Sequence, residues 1–127
     1  MKFLERTFQL TKGVGPWRER DLWARELATW TDFEKAASAG VVMNDRLDRE
    51  LLEAIARARD ALNRRSLAEL AKLVPPKEHW RLYGHFIDDA AFFDIEADGD
   101  HVPTIVGVMD REGVATFRRD RDLQRLP

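Results

Sequence analysis

The spacing of hydrophobic residues changes once along the chain, near residue 90. Before that point apolar residues recur every three or four positions, which is typical of helices. The clearest such run predicts a helix over residues 45–63, with an apolar face made of Leu47, Leu51, Ile55, Ala58 and Leu62. After that point the period is two, which predicts three short strands at residues 91–96, 104–109 and 114–118. A helical region followed by three antiparallel strands predicts an α+β fold.

Capping residues and prolines set the ends of the other predicted helices. Pro16 suits the first position of a helix that runs to about residue 28. The segments 31–34 and 66–69 have the Ser/Thr-x-x-Glu spacing of a capping box, so each is predicted to open a helix. The first of these helices should end near Gly40. Residues 75 and 76 are both proline. This pair should end the helix that opens at residues 66–69, and it can begin one more short helix.

The charge distribution supports a division of the chain into two parts. Residues 1–83 carry 16 Lys/Arg against 13 Asp/Glu, a net charge of +3, whereas residues 84–127 carry 5 against 10, a net charge of -5. We therefore predict a helical leader over residues 1–83 and a strand-containing domain over residues 84–127. A basic front and an acidic back suit a phosphate-binding part joined to a cation-binding part. Two solvated surfaces that differ by chance would give the same numbers.

Composition excludes several kinds of site. The chain has 127 residues and no cysteine, so it has no disulfide framework, no thiolate zinc site and no cysteine nucleophile. Its N-terminus lacks the apolar core of a signal peptide, and no apolar run approaches the length of a membrane span. We predict a cytoplasmic protein with no membrane partner.

Asp94 and Glu96 are the strongest candidates for chemistry. They lie two positions apart in a predicted strand, so both side chains should point to the same face, together with Phe92. The bases of the two side chains are then about 6.5–7 Å apart. Their oxygens can converge on one hard cation, or on two held close together, as metal-assisted phosphodiester cleavage requires. An ordinary exposed strand face would show the same spacing.

Three blocks of the sequence, in order, resemble one family. The segment 92–99, Phe-Phe-Asp-Ile-Glu-Ala-Asp-Gly, is similar to the first motif of the ribonuclease H-like 3′-5′ exonucleases of the four-acid (Asp-Glu-Asp-Asp) type. The segment 8–33, with Gly-Val-Gly, Leu-Trp and Thr-Trp-Thr-Asp-Phe, resembles the leader that precedes such domains in bacteria. The segment 79–83, His-Trp-Arg-Leu-Tyr, resembles the junction between leader and nuclease domain.

This resemblance implies a ribonuclease H-like fold, with Asp94 and Glu96 as catalytic acids and metal ligands. It implies two Mg²⁺ or Mn²⁺ ions as cofactors and a nucleic acid, DNA or RNA with a single-stranded end, as substrate. The family commonly has Glu-Thr-Thr-Gly where this chain has Glu96-Ala97-Asp98-Gly99, so a hydroxyl contact is lost and Asp98 adds charge near the metal. No residues match the family's later acids and general base. We therefore expect a truncated nuclease domain with little or no activity of its own.

A glycine turn in the leader is the second candidate site. Gly13-Val14-Gly15, followed by a helix, resembles half of a helix-hairpin-helix motif. Such turns bind phosphate through backbone N–H groups and do not distinguish sequences. Arg18, with Lys12 and Arg20, would add positive charge. The alternative is a plain turn that starts a packing helix. This site supports a second hypothesis, a non-catalytic nucleic-acid-binding or interaction module.

An incomplete sheet should also affect the solution behaviour of the protein. Three strands without the rest of their sheet leave an edge and an apolar face uncovered. We therefore predict self-association through the sheet, or marginal stability.

Overall fold

The computed structural model describes residues 2–126 and confirms the α+β class. The described chain forms two compact units, one ending at His85 and the other beginning at Phe86. The first unit is helical and the second contains a three-stranded antiparallel sheet. Whether they are the independent domains predicted for residues 1–83 and 84–127 stays a prediction.

Five α-helices and three strands are found among the described residues. The helices are α1 (Pro16–Ala24), α2 (Trp30–Ala39), α3 (Asp45–Asn63), α4 (Leu67–Leu73) and α5 (Tyr83–Phe86). The strands are β1 (Phe92–Ala97), β2 (Pro103–Asp110) and β3 (Gly113–Arg118). Short 3-10 helices occur at Leu4–Arg6, Pro76–Leu82, Ile87–Asp89 and Leu123–Arg125. Each of the helices in this part of the chain is too short or too polar to cross a membrane.

The longest helix, α3, has the predicted bounds. Asn44 caps its N-terminus by accepting a hydrogen bond from the backbone N–H of Leu47 at 2.8 Å. One face of α3 is buried, as the apolar spacing predicted, and it consists of Leu47, Leu51, Ala54, Ile55, Ala58 and Ala61. Helix α3 therefore forms one side of the core of the helical unit.

The capping box of α2 lies two residues before its predicted place. Thr29, not Thr31, caps the helix: its hydroxyl accepts from the N–H of Asp32, while the carboxylate of Asp32 accepts from the N–H of Thr29 at 3.0 Å. These hydrogen bonds hold the pKa of Asp32 below its usual value. The prediction was wrong because Asp32 serves at the third helical position as well as Glu does. The cap at Ser66 and the helix end at Gly40 are confirmed.

Helix α1 ends at Ala24, before the predicted end near residue 28. Glu26 has a φ of 65°, in the left-handed region, and the N–H of Leu27 returns to the carbonyl of Leu22 at 3.1 Å. This is the hydrogen-bond pattern of a Schellman motif, which normally uses glycine at the left-handed position. Because residue 26 is glutamate, no glycine indicates the end of the helix in the sequence.

The segment before α1 is held by side chains of the helical unit. After the 3-10 turn at Leu4–Arg6 the chain is not part of any sheet, although Thr7 and Phe8 are fully buried. The carboxylate of Glu19, a residue of α1 that is 3% exposed, accepts from the Thr7 hydroxyl at 2.7 Å and from the Phe8 N–H at 2.8 Å. Its other oxygen accepts from the Gln9 amide at 2.8 Å. Glu19 therefore satisfies donors that would otherwise be buried without partners.

Three further side chains bind carbonyl groups of the same segment. The indole N–H of Trp30 donates to the carbonyl of Thr7 at 2.7 Å, and that of Trp23 donates to the carbonyl of Arg6 at 2.9 Å. Arg81, at the far end of the helical unit, donates to the carbonyl of Phe3 at 3.2 Å. The N-terminal segment is thus fixed by long-range polar contacts, with no help from a neighbouring strand.

The sheet has the order β1-β2-β3, and both pairs of neighbouring strands are antiparallel. A tight hairpin joins β2 to β3, where Asp110 lies opposite Gly113, whose φ of 138° needs glycine. Val106, in the middle strand, is 3% exposed, whereas Phe93 and Ile95 of β1 are 56% and 58% exposed. Self-association through such side chains stays a prediction.

We predict that Glu19→Ala lowers the free energy of unfolding by about 3–5 kcal/mol, because it leaves the buried donors of Thr7 and Phe8 unpaired and leaves the Gln9 amide with its contact to Glu78 alone. Chemical denaturation of the purified chain measures this change. Glu53→Ala, an exposed glutamate of α3, is the control and should shift stability by less than about 0.5 kcal/mol. Equal small effects of both substitutions would show that the Glu19 contacts do not hold the segment.

Candidate functional site

Strand β1 presents Asp94 and Glu96 on one face. In the antiparallel register Asp94 lies opposite Gly107 and Glu96 lies opposite Ile105. Both acids are exposed, and alternation along the strand places their bases about 6.5–7 Å apart on the same side. The geometry expected of the pair is therefore present, while its role as a metal site stays a prediction.

Gly107 leaves space beside the carboxylate of Asp94. A Cβ atom built at this glycine would lie 3.9 Å from the Cβ of Asp94, so a larger side chain there would stand next to the acid. On the other side of Gly107, β3 contributes Thr116, and Arg118 lies opposite Ile105. The acids thus face a shallow, open surface that can admit a cation with water or phosphate ligands.

The strand pairing is irregular next to Glu96. Glu96 pairs with Ile105 but Ala97 pairs with Pro103, so Thr104 is an extra residue in β2. The hydroxyl of Thr104 donates to the backbone carbonyl of Glu96 at 3.2 Å. Such bulges bend a strand and alter the direction of nearby side chains. This one fixes the backbone at the end of the carboxylate pair.

Asp98 has a structural role in the turn after β1, while the effect of its charge on a metal stays a prediction. Its carboxylate accepts from the N–H groups of Asp100 and Val102 at 2.9 and 3.1 Å, and so closes the turn after β1. Arg119 donates to its other oxygen at 2.8 Å. The hydrogen bond from Arg119 is the main reason that the pKa of Asp98 lies below its usual value. Its negative charge is thus balanced by Arg119.

The described residues bring no third acid or histidine to Asp94 and Glu96. Across residues 2–126, no group of three or more His, Asp or Glu side chains is placed to hold a metal ion. Two other acids of this unit have local partners: Asp110 accepts from the N–H of Glu112 at 2.8 Å, and Asp122 accepts from the N–H of Arg118 at 2.8 Å. The candidate site therefore consists of two carboxylates.

Two of the histidines, His79 and His85, lie in the helical unit and not in the unit that contains β1. The Nε2 atom of His79 lies 3.0 Å from the carbonyl of Ala71 and 2.9 Å from that of Val74, so it contacts the C-terminal end of α4. His85 has a buried Nε2 atom without a hydrogen-bond partner among the described residues. Burial and then the charge of Lys2 lower the pKa of His85.

The glycine turn packs against α3 and then starts α1. The N–H of Val14 donates to the carbonyl of Thr11 at 3.0 Å, which closes the turn. A Cβ atom at Gly13 would overlap Cδ2 of Leu47, a buried side chain of α3. A side chain at Gly13 would therefore have to displace the end of Leu47, whether or not the turn binds a ligand. At Gly15, by contrast, a Cβ atom would meet nothing within 4 Å.

Gly15 is the N-cap of α1, and no side chain caps this helix end. Pro16 follows at the first helical position and has no N–H, so the N–H groups of Trp17 and Arg18 are left at the helix N-terminus. A helix N-terminus of this kind favours anions. Arg18 is exposed, and it can add positive charge to this end of the helix.

Gly15 also lines a cleft of about 610 Å³. One wall is formed by residues 9–12, 14 and 15, and the other by residues 71–76, which run from the last turn of α4 to the Pro-Pro pair. Lys12 and Lys72, both exposed, lie on opposite walls. The cleft therefore combines backbone of the glycine turn with two positive charges, as a phosphate-binding surface would.

Comparison with protein-family models, curated proteins and solved structures finds no significant match to this chain. These comparisons therefore assign the chain to no family.

Sequence reasoning missed one feature of the helical unit. It did not identify Glu19 as a buried acid, because the spacing of apolar residues carries no information on which polar residue is enclosed. The four tryptophans are candidates for base stacking from the sequence alone, and the helical period of α1 puts Trp17 on the side away from the buried residues Glu19 and Leu22. Trp17 is 83% exposed in the structure.

We predict that Gly13→Ala lowers the free energy of unfolding by about 1–3 kcal/mol, because the added methyl group must displace the buried Leu47 side chain. Gly15→Ala is the matched control. It should cost less than about 1 kcal/mol, the size of a weakened N-cap. Denaturant unfolding measures both variants. Equal stability of the two would contradict the packing role of Gly13.

Proposed function

We propose that Asp94 and Glu96 form the first half of a metal-dependent nuclease site of the ribonuclease H-like 3′-5′ exonuclease type. The observation that carries the proposal is the placement of both carboxylates on one exposed face of β1, with Gly107 opposite Asp94. The sequence around them, Phe-Phe-Asp-Ile-Glu, resembles the first motif of that family. Mg²⁺ or Mn²⁺ would be the cofactor, and a nucleic acid with a single-stranded end would be the substrate.

Two carboxylates alone bind a divalent cation weakly. Mg²⁺ requires near-octahedral oxygen coordination and usually takes one or two carboxylates together with water and substrate phosphates. Asp94 and Glu96 can supply the carboxylates, and the open surface beside Gly107 leaves room for the remaining ligands. The cation would supply charge neutralisation for the phosphodiester. Hydrolysis also needs further acids to complete the site, so we expect these residues to bind metal and phosphate more readily than they cleave.

We predict that Mn²⁺ binds at this pair with an affinity in roughly the millimolar range. In NMR spectra of the labelled chain, Mn²⁺ should broaden the amide resonances of Asp94, Glu96 and Gly107 first. Asp94→Asn and Glu96→Gln should each remove this selective broadening, because an amide is a weaker ligand for a hard cation than a carboxylate is.

Asp100→Asn is the control, since Asp100 is an exposed acid in the turn after β1. This variant should leave the broadening at Asp94 and Glu96 unchanged. Uniform broadening at every acidic segment of the chain, insensitive to Asp94→Asn, would contradict the proposal.

A second candidate function, binding of nucleic acid without catalysis, is favoured by the cleft beside Gly15. Its walls carry Lys12 and Lys72, and the N-terminus of α1 has no side-chain cap. Arg18 is exposed at the same helix end. These groups would contact phosphates and not base edges, so binding would depend on salt and tolerate many sequences.

We predict that the full chain binds a labelled single-stranded oligonucleotide at low salt, and that Lys12→Ala and Arg18→Ala each weaken binding. Each substitution should reduce the slope of log affinity against log salt by about 0.7, the value for one phosphate contact with a single strand. Fluorescence anisotropy measures both quantities.

Arg57→Ala is the control, because Arg57 is an exposed arginine on α3 about 15 Å farther along the helix than Leu47. Equal effects at Lys12, Arg18 and Arg57 would point to a nonspecific effect of net charge and would count against a site at the glycine turn.

A further inference from the structure

We propose that Trp17 is a stacking platform for a base of single-stranded nucleic acid, with Arg20 beside it. The inference rests on the second proposed function, the binding of nucleic acid by the helical unit, and it names the group that would contact bases. Trp17 lies at the second position of α1 and is 83% exposed, more than any other large hydrophobic side chain among the described residues.

The exposure of Trp17 follows from the orientation of α1. The buried residues of this helix are Glu19 and Leu22, whereas Trp17, Arg20 and Asp21 are related by three and four positions and therefore share the opposite side. These three residues line a surface recess of about 340 Å³. Neither the core nor the Glu19 contacts use Trp17, so fold stability does not explain a tryptophan at this position.

The other tryptophans have structural contacts in the same unit. The indole N–H groups of Trp23 and Trp30 donate to backbone carbonyls of the N-terminal segment. Trp80 lies against the ring of Phe3, with a centroid distance of 5.5 Å, and the guanidinium of Arg81 lies 4.6 Å from its ring centroid. Trp17 is thus the tryptophan whose ring is left for a ligand.

Charge around Trp17 favours a polyanion as that ligand. Arg18 and Arg20 flank it and are exposed, and Lys12 lies in the turn that leads into α1. The nearby acid, Asp21, is 3.7 Å from the guanidinium of Arg25, so its charge is partly balanced. An aromatic ring among exposed cations is the arrangement by which proteins bind single strands: bases stack on the ring while the cations follow the phosphates.

The test measures binding of the full chain to a fifteen-nucleotide oligothymidine and to an abasic strand of the same length and charge. We expect Trp17→Ala to weaken oligothymidine binding by roughly five- to tenfold or more, the size of one lost base stack. The abasic strand should bind the native chain more weakly, and Trp17→Ala should not change its affinity. Trp17→Phe should retain part of the affinity, because a smaller ring still stacks.

Intrinsic fluorescence gives a second readout of the same contact. Oligothymidine should quench the tryptophan emission of the native chain, and Trp17→Phe should abolish most of that quenching although it still binds. Circular dichroism should show unchanged helical content in both variants, because Trp17 takes no part in the core.

Three results would overturn the proposal in different ways. If Trp17→Ala bound oligothymidine as the native chain does while Arg18→Ala did not, the helical unit would bind nucleic acid without this platform. If no strand bound at low salt, both the platform and the second proposed function would be wrong. If no strand bound and Trp17→Ala abolished self-association in sedimentation, Trp17 would be a protein contact instead.

Discussion

The carboxylate of Glu19 is the contact on which the helical unit depends. It accepts hydrogen bonds from Thr7, Phe8 and Gln9, so that a segment without a partner strand can cross the core with its donors satisfied. A buried charge normally opposes folding unless hydrogen bonds compensate it. Here those bonds join the start of the chain to α1, which carries the glycine turn at its N-terminus. The same contacts therefore orient the helix whose opposite side presents Trp17.

The sequence predicted the helices and strands well where one residue type decides the outcome. Asn44 and the apolar spacing define α3, and alternation defines β1 with its two acids on one face. Prediction from the sequence failed where several residues could cap the same helix, or where the structure depends on contacts between distant residues. Thr29 displaced Thr31 as a cap because Asp32 could complete the box, and Glu26 ended α1 in a conformation that usually requires glycine. Periodicity could not show that Glu19 is enclosed or that Gly13 is held by Leu47.

The sequence also predicted one part of the candidate site and missed another. Strand alternation was enough to place Asp94 and Glu96 together, because the side-chain period of a strand is fixed. The extra residue Thr104 and the pairing of Asp98 with Arg119 were not predictable, since both depend on the register of β1 against β2 and on a residue after β3. These contacts fix the backbone on either side of Glu96 and give the carboxylate of Asp98 hydrogen-bond partners within the chain. The surface that results has two exposed carboxylates and a glycine in the neighbouring strand.

We propose that Asp94 and Glu96 jointly bind a divalent cation. The most direct test is a crystal of the chain soaked in Mn²⁺ together with a short single-stranded oligonucleotide, examined by anomalous diffraction. We expect an anomalous peak within about 2.5 Å of carboxylate oxygens of both residues. A peak at other acids of the chain, or none at this pair at saturating Mn²⁺, would contradict it.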